Sequence, residues 1–393
     1  MEDITHRPDV AGLPQLDLFG VASYERYRIE TSPELDVALP GGAPCFLGVS
    51  GGKDSQALAY RAVEHLDTIG HAGPRYLIHS DLGRVEWRSS LSVCERLAER
   101  TGLELVVVRR QAGDLMDRWL GRWAANVSRY AQLECVKLIL PWSTPKQRFC
   151  QSELKGAVLS SAVRKRFPKG DVISATGIRR EESASRAKMA VWKPDERTMR
   201  KSGFGHVWNP LMGWTRSDVL DYIRKRGDVL HVAYTIFQAS RVSCAFCIMS
   251  TERDLAAAAR CADNQDIYRE MVDLEICSTF SFQGTRWLGD VAPHLLDANR
   301  REGLVQAKER AAAREAAECV LPPHLLFKKG WPTVMPSPSE ADLIAKVRRD
   351  VASAVGLEVF HTTGEEVLKR YSQLMAIATA KAAVGGLRLA KHE

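Results

Sequence analysis

Apolar and polar positions along this chain follow two different rhythms. Short unbroken apolar runs stand at Cys45–Val49, Arg75–His79, Glu104–Arg109 and Asp171–Thr176. They lack the in-and-out alternation of a half-exposed strand, so they predict strands covered on both faces. Between them lie stretches of helical length and period at 54–66, 86–100, 113–125 and 154–166. Strands spaced by helices of this length predict βαβ units, hence an α/β fold built on a doubly wound parallel sheet. After Ser217 the pattern is mostly helical.

Two further stretches refine this organisation. Residues 298–319, ANRREGLVQAKERAAAREAAEC, read as a charged helix without a strong apolar stripe, exposed or bridging. Beyond the Pro-rich stretch LPPHLLFKKGWPTVMPSPS, Ser339-x-x-Asp342 predicts a capped helix to about Ser353, and Thr363-x-x-Glu366 another to about Val384, ended by Gly385-Gly386. The expected division is a lead-in at 1–42 with some helix near Leu16–Glu30, a nucleotide-binding domain at 43–290, a charged linker at 291–320 and a C-terminal helical appendage at 321–393. In RWLGRWAANVSRY (118–130), aromatics among basic residues could stack bases, but Trp119 and Trp123 at i, i+4 read more simply as a core stripe.

Composition narrows the class. The 393 residues are 45% apolar and 26% charged, as in a globular protein, and no apolar run has the length of a membrane span. The first residues lack the basic-then-apolar form of a signal peptide, so a cytoplasmic protein with no membrane partner is expected. Nine cysteines then read as thiols or metal ligands, not disulfides. The formal charge of +7 is concentrated: Lys146–Lys201 holds fifteen Lys/Arg against six Asp/Glu. Such a run is either a solvated surface or a phosphate site.

The chemistry begins at Ser50-Gly51-Gly52-Lys53-Asp54-Ser55, between the first strand and the first long helix. A helix start offers unpaired N–H groups and the positive end of the dipole, and glycines let an anion reach the backbone. Lys53 adds a charge and Ser50 and Ser55 add hydroxyls, on a turn read as solvent-facing with Lys53 outside any core. The spacing fits neither G-x-x-x-x-G-K-[ST] nor G-x-G-x-x-G. Asp81 falls just past the second strand, at the edge where open parallel sheets bind ligands. It could accept from a ribose hydroxyl or adenine amine, hold Mg²⁺, or only form a turn before Leu82-Gly83. Gly177 and the neighbouring pair Arg179 and Arg180 follow another strand, and these guanidiniums could fork onto phosphate.

SGGKDS resembles the pyrophosphate loop of the adenine-nucleotide alpha-hydrolase superfamily, the N-type ATP pyrophosphatases, whose fold is Rossmann-like. HSDLGRVEW (79–87), RFCQSELKGA (148–157), ATGIRREESASRA (175–187), WNPLMGWTRSDVLDYI (208–223) and SRVSCAFCI (240–248) are similar in order to landmarks of its phosphoadenosine phosphosulfate (PAPS) reductase family. The resemblance covers about 42–280. It implies ATP with Mg²⁺ as cofactor, a nucleotide site of Ser50, Gly51, Gly52, Lys53, Asp54, Ser55, Asp81, Gly177, Arg179 and Arg186, and Lys53, Asp54 and Arg179 as catalytic groups. It also places the basic surplus at the nucleotide edge. The reaction implied is cleavage of ATP to AMP and pyrophosphate with adenylation of an acceptor oxygen.

Cys244-Ala-Phe-Cys247 alone could be a metal half-site, a redox pair or chance. The resemblance brings Cys150 beside it and implies a [4Fe–4S] cluster on Cys150, Cys244 and Cys247. Cluster-bearing relatives often carry adjacent cysteines at the first site; here the neighbour is Phe149, so either the fourth iron is open or Cys261 serves. Cys45, Cys94, Cys135, Cys277 and Cys319 read as packing residues. Three functions follow: sulfur transfer to nucleic acid, close to the DNA phosphorothioation branch or to RNA thiolation and fed by a donor such as a cysteine desulfurase; sulfonucleotide reduction, disfavoured because no cysteine follows Cys319; or a catalytically silent nucleic-acid-binding protein.

Overall fold

The computed structural model describes residues 26–389. Six strands form one sheet in the order β3-β2-β1-β4-β6-β5. They are β1 (Cys45–Gly48), β2 (Arg75–Asp81), β3 (Glu104–Arg109), β4 (Val172–Ala175), β5 (Trp192–Pro194) and β6 (Gly205–Trp208). β1 pairs in parallel with β2 and β4, β4 pairs in parallel with β6, and only β5, at the edge, runs antiparallel to its neighbour β6 among the registers described. The four strands expected from apolar runs are all present. β5 and β6 were not expected: both are short, and Pro194 is tolerated because β5 is an edge strand.

Among the described residues, the helices of six residues or more are, in chain order, α1 (Pro33–Ala38), α2 (Lys53–Thr68), α3 (Ser89–Thr101), α4 (Leu115–Ala131), α5 (Ala157–Arg166), α6 (Arg216–Lys225), α7 (Glu252–Ala259), α8 (Gln265–Ser278), α9 (Ala298–Glu318), α10 (Pro338–Val355) and α11 (Gly364–Leu389). Most of the helix expected near Leu16–Glu30 lies outside the described residues. α5 is reached through a helical turn at Phe149–Gln151 and a π-helical turn at Ser152–Gly156. The N-cap of α10 is Ser337, two residues before the expected Ser339, because Pro338 takes the first helical position and Glu340 completes the capping box. Thr363 caps α11 as expected, its Oγ accepting from Glu366 N at 3.3 Å. α11 continues past Gly385-Gly386, so the glycine pair does not end it.

The chain folds as two compact units. One takes the chain up to Ile78 with Cys94–Val106 and Val163–Leu230; the other takes His79–Val93, Val107–Ala162 and everything from His231 onward. The first is centred on the sheet, with Phe46, Leu47, Leu58, Ile173 and Trp208 buried. The second has one apolar core running from Leu82 through Trp119, Trp123 and Trp142 to Tyr268, Ile344 and Tyr371. Trp119 and Trp123 are core residues, as their spacing implies. α9 differs from expectation. It buries Leu304, Ala307, Ala311, Arg314 and Glu318 along one stripe and packs between α8 and α10. Small and charged residues form that stripe, so an apolar count could not reveal it.

Within the second unit, loops are tied down by buried ionic side chains. Glu275 is fully buried and accepts backbone N–H groups from Phe282 and Leu288, both at 2.7 Å, and from Gly289 at 3.0 Å. Burial raises its pKa to about 7, although the three donors favour the charged form. A carboxyl raised in the folded state contributes stability fully present below the unfolded value, near 4.5, and lost as pH rises through about 7. We expect Glu275→Ala to cost of order 3 kcal/mol, since three buried donors lose their acceptor. Urea melts of parent and Glu275→Gln at about pH 5 and about pH 8 should show the parent's loss of stability across that interval flattened in the variant.

Candidate functional site

β1 and β4 are neighbours at the centre of the sheet, and the strand order changes direction there, so their carboxyl ends frame the crevice where such sheets bind ligands. Ser50–Ser55 follows β1. Gly51 takes φ +72°, which glycine adopts without strain. Gly52, extended, is the N-cap of α2 and gives no side-chain cap, so the helix start keeps the donor character that anions seek. Ser55 Oγ donates to Gly52 O at 2.8 Å and accepts from Ser50 N at 3.1 Å, which closes the loop on itself. The Ser50 side chain is exposed.

Lys53 does not face solvent as expected. It is 5% exposed, with Nζ 3.0 Å from Asp54 Oδ2. The reason lies 125 residues along the chain. Arg179, 3% exposed, donates Nε to Asp54 Oδ1 at 2.6 Å and Nη1 to Glu181 Oε2 at 2.7 Å. One carboxylate is thus shared between an ammonium and a guanidinium at a helix N-terminus. Burial works against the charge on Arg179, and Asp54 and Glu181 outweigh it, so its pKa is raised. Lys53 and Arg179 can shift from Asp54 to an incoming polyphosphate, which leaves the carboxylate free for a cation.

Gly177 explains how the two segments come together. A Cβ there would lie 2.6 Å from Asp54 O and 2.9 Å from Asp54 C. Arg180, expected to fork onto phosphate beside Arg179, instead forks onto Glu30 at 2.6 and 2.8 Å. Arg186 is half-exposed and pairs with Glu182, which also accepts the Arg179 N–H at 3.0 Å. It therefore adjoins the Asp54 group only through Glu182. The basic surplus is not all at this edge either. Arg164, Lys165 and Arg166 end α5, and Lys169, Arg200 and Lys201 lie in loops entering β4 and β6, at the opposite ends of those strands.

The second unit holds the other expected residues. Asp81 is the last residue of β2; its Oδ1 accepts from Gly83 N at 2.7 Å, as the turn reading expects, and its Oδ2 pairs with Arg109 at 2.5 Å. It lines a cleft of about 230 Å³ with His79, Gly83, Glu86, Trp87, Arg88 and Leu91. His79 Nε2 stands 3.2 Å from Glu86 Oε2. The sequence reading missed this pair, although HSDLGRVEW displays a His and a Glu seven residues apart.

Cys244 forms an isolated bridge with Glu86, and Ala245 N donates to Val85 O at 2.8 Å. Cys247 Sγ accepts from Met249 N at 3.4 Å, and Gln283 Nε2 donates to the carbonyls of Cys247 and Ser250 at 3.1 and 3.0 Å. Burial pushes the Cys244 thiol well up; Cys247, Glu86 and Cys150 add to the rise and Lys155 opposes it. The three expected cysteines are thus electrostatic neighbours. Their arrangement does not amount to a ligand set: among the described residues no three Cys, His, Asp or Glu stand together as a metal site. Cys261, partly buried, packs against the unit's core. Cys45, Cys94 and Cys135 are buried as expected, and burial pushes Cys45 up to about 12. Cys277 and Cys319 are exposed, contrary to the packing role read from their context.

The family model described as the phosphoadenosine phosphosulfate reductase domain matches residues 44–235. An uncharacterized 37.8 kDa protein in the gpa 5′ region of Escherichia phage 186 is 28% identical over 251 residues, covering 53% of this chain and 68% of that protein. Among solved structures, the PAPS reductase of Candida auris in its phosphate complex aligns with TM-score 0.35 and 13% identity, over 59% of this chain and 96% of that one. The FMN adenylyltransferase of Candida glabrata, with FAD and inorganic pyrophosphate, gives 0.36 and 11%, over 60% and 67%. The U34-tRNA thiolase NcsA of Methanococcus maripaludis, with its [4Fe–4S] cluster, gives 0.35 and 14%, over 71% and 89%.

Gly177→Ala tests the close approach. The methyl must displace the first turn of α2, so we expect the variant to lose thermal stability in a thermal-shift assay. A variant with the parental melting temperature would mean that the contact between these segments is dispensable.

Proposed function

We propose that this chain, which carries a phosphoadenosine phosphosulfate reductase domain over residues 44–235, is an ATP pyrophosphatase that adenylates an acceptor oxygen for sulfur transfer. The observation that carries the reading is the Asp54 carboxylate shared by buried Lys53 and Arg179 at the start of α2. Attack of an acceptor oxygen on the α-phosphorus forms an O–P bond, breaks the bond to the β-phosphate oxygen and expels pyrophosphate. Negative charge grows on the leaving group, where a helix N-terminus, an ammonium and a guanidinium stabilise it. Asp54 is the carboxylate suited to Mg²⁺ once the polyphosphate has drawn the two cations away. Gly177 and Arg186, both in the first unit, complete the proposed nucleotide site.

Nucleic acid is the proposed acceptor, as DNA in a phosphorothioation-like reaction or as RNA, with a cysteine desulfurase or similar donor supplying sulfur. Cys150, Cys244 and Cys247 are the thiols assigned to sulfur handling. A [4Fe–4S] cluster enters the proposal through their thiolate chemistry alone, and no step of the adenylation depends on it. No described helix is long and apolar enough to cross a membrane.

Lys53 is buried, so Lys53→Met, which keeps the stem and removes the charge, is the informative variant. With ATP, Mg²⁺ and an oligonucleotide, the parent should release AMP and pyrophosphate, and Lys53→Met or Arg179→Gln should lower kcat by about 10²–10³ while the circular dichroism spectrum is retained. Parental rates in Lys53→Met would sink the assignment; sulfite release from a sulfonucleotide and a thiol reductant would favour a reductase.

Protein purified without oxygen should carry iron and labile sulfide at about four each per chain. Serine at Cys150, Cys244 or Cys247 should remove both, and serine at Cys261 should not. One tightly held zinc and no sulfide would replace the cluster with a zinc site.

A further inference from the structure

α4 sends Trp119 and Trp123 into the core and carries Arg118 and Arg122, one turn apart, on another face. Both guanidiniums lie over the ring of Phe149, at 4.6 and 4.9 Å from its centre. Phe149 is buried and immediately precedes Cys150. Arg118 is satisfied by a fork onto Glu153 at 2.7 and 3.1 Å. Arg122 is half-buried, gives Nε to Leu140 O at 3.0 Å and forms no ion pair among the described residues. Burial and the neighbouring Arg118 lower its pKa, and Glu153 only partly offsets them. Arg110 also acts on Glu153, so three guanidiniums depend on one carboxylate. The nearby Asp114 and Asp117 are already held by Arg84. Lys146 and Arg148, both exposed, complete the approach to Phe149.

Like charges one helical turn apart destabilise each other, and a desolvated cation without an anion is costly. An arrangement of this kind is relieved by an anion from outside. We propose that Arg110, Arg118, Arg122, Lys146 and Arg148 form the surface that receives the phosphodiester backbone of a nucleic-acid strand beside Cys150. This rests on the reading of nucleic acid as the acceptor. A polymer fits better than one phosphate, because the cations come from three separate segments and exceed what a single phosphate neutralises. The Phe149 ring is covered by the two arginines, so it offers no face to a base. Recognition here is therefore of charge, with steep salt dependence and little sequence preference.

The test is fluorescence anisotropy of labelled DNA and RNA strands of about 20 nucleotides, longer than a typical single-strand site, titrated over a range of salt. The parent should bind at low salt, with affinity falling log-linearly as salt rises. Arg122→Gln and the double variant Lys146→Gln/Arg148→Gln should weaken binding roughly 5- to 10-fold and lower the slope by about 0.7 per cation removed. Lys193→Gln, on β5, should change neither. If Arg122→Gln fails to fold, the exposed double variant carries the test. Parental binding by that double variant, no binding by the parent at low salt, or displacement of the strand by equimolar inorganic pyrophosphate would each overturn the proposal. Loss of binding in the variants of a chain that cleaves no ATP would leave this surface standing and remove the pyrophosphatase reading instead.

Discussion

The Asp54 carboxylate is the group on which the first unit's candidate chemistry depends. It sits on the first turn of α2, where the helix dipole disfavours a buried cation, yet it holds two. Lys53 and Arg179 are each about 95% or more removed from solvent. A buried charge is costly without a counter-ion, and Asp54 supplies one within hydrogen-bonding distance of both. The loop after β4 can approach closely enough only because residue 177 has no Cβ. Backbone shape, ion pairing and the anion-seeking helix start are therefore one arrangement.

The second unit uses buried ionic groups differently, to fix loop backbone. Arg348 donates to the carbonyls of Tyr130, Ala131 and Phe360, and so ties the end of α4 to the segment before α11. Glu275 gathers three N–H groups of the 282–289 loop, and Gln283 on that loop grips the carbonyls of Cys247 and Ser250. The shape of the C-x-x-C turn thus depends on a carboxylate far from it in sequence. A thiol group supported in this way can be close to its neighbours without being arranged as a set of ligands.

What the sequence made legible was local. The apolar runs of β1 to β4 are each contained in a few consecutive residues, and the strands expected there are present; the Ser50–Ser55 turn stands between β1 and α2, where the sequence puts it. β5 and β6 escaped because three or four residues containing Gly, Pro and His carry no apolar signature. The burial of Lys53 escaped because Arg179 is 126 residues away, and the diversion of Arg180 because Glu30 is 150 residues away. The α9 stripe escaped because Arg314 and Glu318 are buried as a mutual pair with Phe280 under the guanidinium at 3.8 Å. In each case a tertiary partner changed what a charged residue does, and no local pattern encodes the partner.

The same argument bears on the fifteen cations of Lys146–Lys201. Their excess suggested one phosphate surface, but the fold distributes them among the carboxyl ends of the strands, the opposite ends, and the approach to Cys150. Charge count alone cannot rank these places, because exposed cations are stabilised by water wherever they lie. Burial can rank them. Arg179, within that run, is buried with two carboxylates; Arg122, outside it on α4, is half-buried and forms no ion pair among the described residues, although Glu153 favours its charge. Arg179 is held by its own chain until a ligand competes for it. Arg122 lacks such a partner, so its environment improves on contact with any outside phosphate. The distinction separates a guanidinium that internal carboxylates already neutralise from one that lacks such a pair, and burial draws it where a count of charges does not.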